Sequence, residues 1–253
     1  MYYESRIYVG EMIEVTKTYH QGMIRGFRRR TGQPTTERQQ RYNDKLRVRK
    51  LYHLLRMNFR GGDTNVSLHY KRGMCPPDER TAKKDIAETL RRIKRKYPDS
   101  KYIYSTHTTD RGSIHHHLIL TKDVPFYIIA ETWRAVTDGS ISNGSFLYED
   151  KNTYKRLAAY LLGLSQNMLG DEKNHTRAKY TRGYTGSRNL MKPSKEYREV
   201  QAKTWRKQPP VPNGYRIAEL INGKDLFDMP FQHYILVPVD SEYTVDEDGG
   251  DYG

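Results

Sequence analysis

Residues 64–71, "TNVSLHYK", alternate strictly: Val66, Leu68 and Tyr70 fall on one side, Asn65, Ser67 and His69 on the other. A period of two predicts a half-buried β-strand. Elsewhere the period is helical. "TTERQQRYNDKLRVRKLYHLLRMNF" (35–59) carries Leu46, Leu51, Leu54 and Leu55 on one stripe, with Thr35 or Thr36 placed to cap it and an Arg/Lys-rich opposite face. "CPPDERTAKKDIAETLRRIKRKY" offers Asp78 at a helix start and puts Ile86, Ala87, Leu90 and Ile93 at helical spacing. "NTYKRLAAYLLGLSQ" (152–166) does the same with Leu157, Ala158, Leu161 and Leu164, and "PFYIIAETWRAV" reads as a further helix.

Between these, "SKYIYSTHTTD" and "GSIHHHLILTKD" read as two strands joined by a tight turn, and "GSISNGSFLYED" as an extended piece with a glycine turn. Residues 1–18 read as one short extended segment, followed by a basic loop, "MIRGFRRRTGQ". Beyond 167 the chain is basic, proline-bearing and irregular as far as "YRIAELINGKDLFDMPFQHYILVPV". No repeat of 20–50 residues is evident. Strands adjacent in sequence with interspersed helices predict an α+β fold, an antiparallel sheet with helices on one face. The domain organisation expected is an N-terminal strand, basic loop and basic helix (1–59), a core (60–166), a basic extension (167–239) and an acidic, disordered tail (240–253).

Charge narrows the function. Lys and Arg number 44 against 30 acids, a formal net of +14. The last fourteen residues hold six acids and no Lys or Arg, so residues 1–239 carry +20. Such a surplus favours a polyanionic partner, usually nucleic acid. The 21 Tyr outnumber the 6 Phe, and tyrosine offers a ring for base stacking with a hydroxyl for phosphate contact. No apolar run is long enough to span a membrane. The start "MYYESRIYVGE" lacks the charged and apolar regions of a secretory signal, and the single Cys75 fits a reducing compartment, so a cytoplasmic location is expected.

The candidate chemistry lies in "HTTDRGSIHHH" (107–117). As a hairpin with a three-residue loop, Asp110-Arg111-Gly112, it sets Thr109 opposite Ser113 and His107 opposite His115. Strand alternation then puts His115 and His117 on one face, Cα atoms about 6.7 Å apart. His107 projects from that same face. Three imidazoles can converge on one ion there, leaving positions open for water or substrate. His116 points the other way, with Ile114, Leu118 and Leu120, toward a core. Ligand type alone suggests zinc or another transition metal. No nucleophilic serine elbow or glycine-rich phosphate loop occurs. Tyr160, on the helix after the histidine strand, is the candidate nucleophile, because a neighbouring ion can activate a tyrosine toward phosphorus.

Together these residues resemble the HUH endonucleases, and more closely the rolling-circle replication initiators of small plasmids, filamentous phages and integrative elements. "NFRGGDTNVSLHY" resembles the family's first motif strand, followed by the acidic-start helix "PPDERTAKKDIAETLRRIKRKY". "KYIYSTHTTDRGSIHHHLIL" resembles the metal hairpin, with His115 and His117 as its ligand pair and His116 in the hydrophobic slot. "YKRLAAYLLGLSQ" resembles the tyrosine helix, and "YTGSRNLMKPS" a basic segment that follows it. Two positions depart from the pattern: His107 stands where relatives often have Glu, and Gly163 where Lys usually follows the tyrosine by three. Tyr154 and Tyr148 therefore stay open as alternative nucleophiles, and Lys155, Arg156 or Lys173 as alternative sources of charge.

The resemblance implies an HUH/RRM-like palm of about five antiparallel strands and a divalent ion, Mg2+ or Mn2+. It implies nicking of single-stranded or hairpin origin DNA through Tyr160, giving a 5′-phosphotyrosine and a free 3′-hydroxyl, followed by religation. Host helicase and polymerase are the further partners it implies. Arg28, Arg29, Arg30, Lys155, Arg156, Arg188 and Lys192 are the candidate DNA contacts. The alternatives are a conjugative relaxase with the same chemistry and a non-catalytic single-strand-binding protein.

Overall fold

The structure, a computed structural model, describes residues 2–19, 37–109, 111–147, 153–164, 183–201, 204–224, 229–241 and 243. In chain order its elements are β1 (Tyr2–Val9), β2 (Met12–Tyr19), α1 (Glu37–Asn58), β3 (Thr64–His69), α2 (Glu79–Lys96), β4 (Tyr102–Thr108) and β5 (Ile114–Leu120). There follow α3 (Phe126–Thr137), β6 (Ser140–Phe146), α4 (Tyr154–Leu161), β7 (Thr185–Gly186), β8 (Ser194–Val200), β9 (Tyr215–Lys224) and β10 (Pro230–Pro238). The fold is α+β, as expected, with two antiparallel five-stranded sheets. The chain divides into a terminal unit, Met1–His53 with Lys192–Gly253, and a central unit, Leu54–Met191.

The central unit holds the sheet β6-β3-β5-β4-β7. Its core is built by parity. Val66 and Leu68 of β3, with Leu118 and Leu120 of β5, pack against Ile86, Leu90 and Ile93 of α2 and Ile129 and Trp133 of α3. Burying each such side chain contributes about 1.5–3 kcal/mol, which fixes which face of the sheet turns inward. Helix α2 starts where Asp78 caps it, its carboxylate accepting from the Thr81 amide at 2.8 Å, and ends with Lys94, Arg95 and Lys96 at the negative pole of its dipole. The β4–β5 turn closes as the pattern predicts. The Thr109 amide donates to the Ser113 carbonyl at 2.9 Å, and Gly112 takes φ +77°, a conformation that favours glycine.

The terminal unit holds the sheet β8-β1-β2-β10-β9. The segment 1–18 is a hairpin rather than one extended piece, because Gly10 at φ +62° turns the chain between β1 and β2. Residues 194–200, expected to be irregular, form β8 on β1, and the 215–238 stretch forms the antiparallel pair β9 and β10. One side of this sheet buries a charged cluster. Glu14 pairs with His53 at 2.8 Å, Arg49 at 2.7 Å and His233 at 3.3 Å. In α1 Leu51 and Leu55 are buried and Leu46 and Leu54 half-buried; the expected caps Thr35 and Thr36 lie outside the described residues. Among the described residues no helix is long and apolar enough to cross a membrane.

Candidate metal and tyrosine site

The site is assembled by strand register on the sheet face opposite the α2/α3 core. His107 of β4 stands directly across from His115 of β5, and His117 stands between Ser105 of β4 and Ser67 of β3. Each of His107, His115 and His117 offers a ring nitrogen within 4.8 Å of the others, the one such cluster of His, Cys, Asp or Glu among the described residues. These three histidines could hold a metal ion. Burial, joined by the neighbouring imidazoles, pushes His115 down to about 4 and His117 to about 3, and burial lowers His107 as well. All three rings are therefore neutral at pH 7, the form in which imidazole donates its lone pair.

Hydrogen bonding fixes part of the proton arrangement. His107 Nε2 lies 3.2 Å from the Leu161 carbonyl, which can only accept, and 3.0 Å from Ser105 Oγ. Nε2 must then carry the hydrogen, leaving the Nδ1 lone pair free. The middle histidine is fully buried and belongs to the opposite face, as alternation predicts. Its Nε2 lies 3.2 Å from the Tyr70 hydroxyl, which donates to Asp85 at 3.1 Å. Tyr70 has one hydrogen, so His116 Nε2–H donates to it, and His116 Nδ1 accepts from Thr106 at 2.9 Å.

Tyr160 reaches the cluster from α4. Its hydroxyl lies 3.2 Å from His117 Nδ1, the rings are 4.5 Å apart, and the side chain is half-exposed. Burial raises its phenol above the ordinary value, opposed by the nearby Ser67 hydroxyl. The tyrosine is aimed by the helix's end. Gly163, at φ +66°, lets its amide donate to the Tyr160 carbonyl (2.9 Å) and that of Leu164 to Ala159 (3.0 Å), a Schellman closure. The Leu161 carbonyl left over is the one that holds His107. A lysine at 163 would have to adopt that left-handed backbone, which side chains with a Cβ rarely take. Tyr154 is fully buried, while Tyr148 and Lys173 lie outside the described residues.

Of the candidate DNA contacts, Arg156 sits one helical turn before Tyr160 and is exposed, and Lys155 is half-buried on the same helix. Arg188 is exposed near β7, Lys192 belongs to the terminal unit, and Arg28, Arg29 and Arg30 lie outside the described residues. Three neighbours were not singled out by sequence. Ser67 contacts His117 Nδ1 at 2.9 Å, and His69 stacks on His115, ring centroids 5.4 Å apart and 7° from parallel. Glu79 accepts from Thr108 at 3.3 Å and faces His107 electrostatically. The polar parity of Ser67 and His69 was legible, but the β3–β5 pairing that brings them here joins residues about fifty apart.

No protein-family model, no curated protein and no solved structure matches the chain.

Proposed function

We propose that the central unit is a metal-assisted, tyrosine-dependent DNA endonuclease of the HUH type, acting as a rolling-circle replication initiator. The observation that carries this reading is the Tyr160 hydroxyl, 3.2 Å from His117 within a cluster of three neutral imidazoles. A nucleophile beside a candidate ion site is what phosphoryl transfer requires.

His115 and His117, with His107, would hold a divalent ion, Mg2+ or Mn2+. An all-imidazole donor set accommodates a transition ion better than Mg2+, which favours oxygen, so Mn2+ is the better fit of the two. The ion would polarise the scissile phosphate and offset the charge that develops on it. Tyr160 attacks phosphorus in line as its phenolic proton passes to solvent water, the P–O3′ bond breaks, and the 3′-oxygen leaves and takes a proton from water, so the step is proton-neutral overall. The phenolic oxygen stays bonded to the 5′-phosphate, which conserves the phosphodiester energy for religation without ATP. Arg156, on the tyrosine's own helix face, neutralises a flanking phosphate. Single-stranded DNA suits the site, because attack needs a backbone free to bend over the sheet and bases free to stack.

The test is incubation of the full chain with a labelled pool of random single-stranded oligonucleotides and Mn2+, then a denaturing gel. A covalent protein–DNA band present in the wild type and absent in Tyr160→Phe is expected. DNA binding without any such band would sink the nuclease and favour a non-catalytic single-strand-binding protein.

A further inference from the structure

Ser67 is 6 % exposed and lies in register with His117 on the adjacent strand. Its Oγ is 2.9 Å from His117 Nδ1, and the Tyr160 hydroxyl lies 3.2 Å from that same nitrogen, so the two hydroxyls converge on one atom. Three polar groups from β3, β5 and α4 thus meet at one point. We propose that Ser67 is a positioning residue that couples the His117 imidazole to the Tyr160 oxygen through one shared hydroxyl. The proposal rests on the nuclease reading above.

The logic is a count of hydrogens. Nδ1 of His117 has one lone pair or one hydrogen, not both, and two hydroxyls compete for it. If His117 gives its Nε2 lone pair to an ion, Nδ1 must carry the hydrogen. It then donates to Ser67 Oγ, and Ser67 has its own hydrogen left for Tyr160. The tyrosine oxygen becomes an acceptor, with a lone pair free to face phosphorus. Without Ser67 the imidazole loses the partner that fixes its ring plane and tautomer, and the phenol loses the donor that fixes its rotamer. Alanine at 67 removes only the hydroxyl, from a strand position already surrounded by other elements. Threonine keeps that hydroxyl and suits a strand.

The experiment uses the full chain as wild type, Ser67→Ala and Ser67→Thr. Mn2+ affinity is read from the free-ion electron paramagnetic resonance signal with no DNA present. Adduct formation is then timed on the oligonucleotide recovered from wild-type adducts. Ser67→Ala should weaken Mn2+ binding about tenfold, the lower end of the range for lost outer hydrogen bonds to metal ligands. It should slow adduct formation about a hundredfold at saturating DNA, with the half-saturating DNA concentration unchanged. Ser67→Thr should restore both. Equal Mn2+ affinity and equal rate in wild type and Ser67→Ala overturn the coupling while leaving the nuclease standing. Loss in both variants at native melting temperature assigns the effect to packing and overturns it too. A wild type that binds no Mn2+ removes the metal reading, and this proposal with it.

Discussion

The middle histidine gives the most direct test of how the strand is oriented. His116 is fully buried against Trp133, Tyr104 and Tyr70, and burial, with the neighbouring His115 adding, pushes it down to about 3 from an ordinary 6.5. The folded state therefore refuses a proton that the unfolded state accepts. Stability from this group is complete above pH 6.5 and is lost as pH falls from 6.5 toward 3, at about 1.4 kcal/mol per pH unit and about 5 kcal/mol in all. His116→Leu keeps similar volume and abolishes the titration, but leaves the Thr106 hydroxyl without its acceptor, at a cost of about 1–2 kcal/mol. The variant should be the less stable protein at pH 8. The two stability curves should cross near pH 5.5, about one unit below the ordinary histidine value, and the variant should be the more stable below it. The assay is urea unfolding at several pH values with a chelator present, in a Trp205→Phe background where Trp133 alone reports on the central unit. Its ring lies 5.6 Å from that of His116. A constant offset with no crossing would mean that His116 is protonated or solvated in the fold, and the face assignment would fail with it.

Other expectations concern the remaining site and the second unit. His115→Ala and His117→Ala should each abolish Mn2+ binding and adduct formation with an unchanged fold, read by resonance titration and gel; cleavage surviving in either sinks the ligand set. Glu14→Gln should destabilise the terminal unit by about 3 kcal/mol, because it removes a buried anion from the partners Arg49, His53 and His233. Burial opposes the ionised Glu14, but the adjoining His53 ring and the surrounding positive groups prevail and hold it at about 2. The wild-type contribution is therefore present above pH 4.5 and lost as pH falls from 4.5 to 2, and Trp205-monitored unfolding of Glu14→Gln should lack that acid limb. Gly163→Lys should lower the melting temperature, by the equivalent of about 1–2 kcal/mol, and lower rather than raise the adduct yield. Single-stranded DNA should be cut well and relaxed linear duplex poorly, and equal cutting of both would point to a duplex nuclease.

Much of the site could be read because it is local. The turn at Gly112 and strict alternation are enough to put His107, His115 and His117 on one face and His116 on the other, and no distant pairing enters that deduction. The α+β class followed from the same switching of period between two and 3.6. What could not be read depends on partners far away in sequence. The terminal unit closes when β8, β9 and β10 join β1 and β2, residues separated by nearly the whole chain, and nothing in the local pattern of "SKEYREV" announces an edge strand. His69 and Ser67 showed the right parity, yet their relevance appears only once β3 lies beside β5.

The same distinction bears on the lysine that the HUH resemblance leads one to expect three residues after the tyrosine. That pattern places a cation one turn after the tyrosine, as if the helix continued. Here the helix stops at Leu161, and the residue at that position must turn left-handed to close it. The early stop is useful in this chain, because it exposes the Leu161 carbonyl that His107 needs as an acceptor. If the helix ran on, that carbonyl would take an amide four residues later, and His107 Nε2 would lose the partner that fixes its hydrogen. On the nuclease reading proposed above, Arg156, four residues before Tyr160 on the same helical face, would supply the positive charge from the preceding turn. Glycine at 163 and histidine at 107 therefore belong to one arrangement: the left-handed turn ends the helix, and the helix end orients the ring.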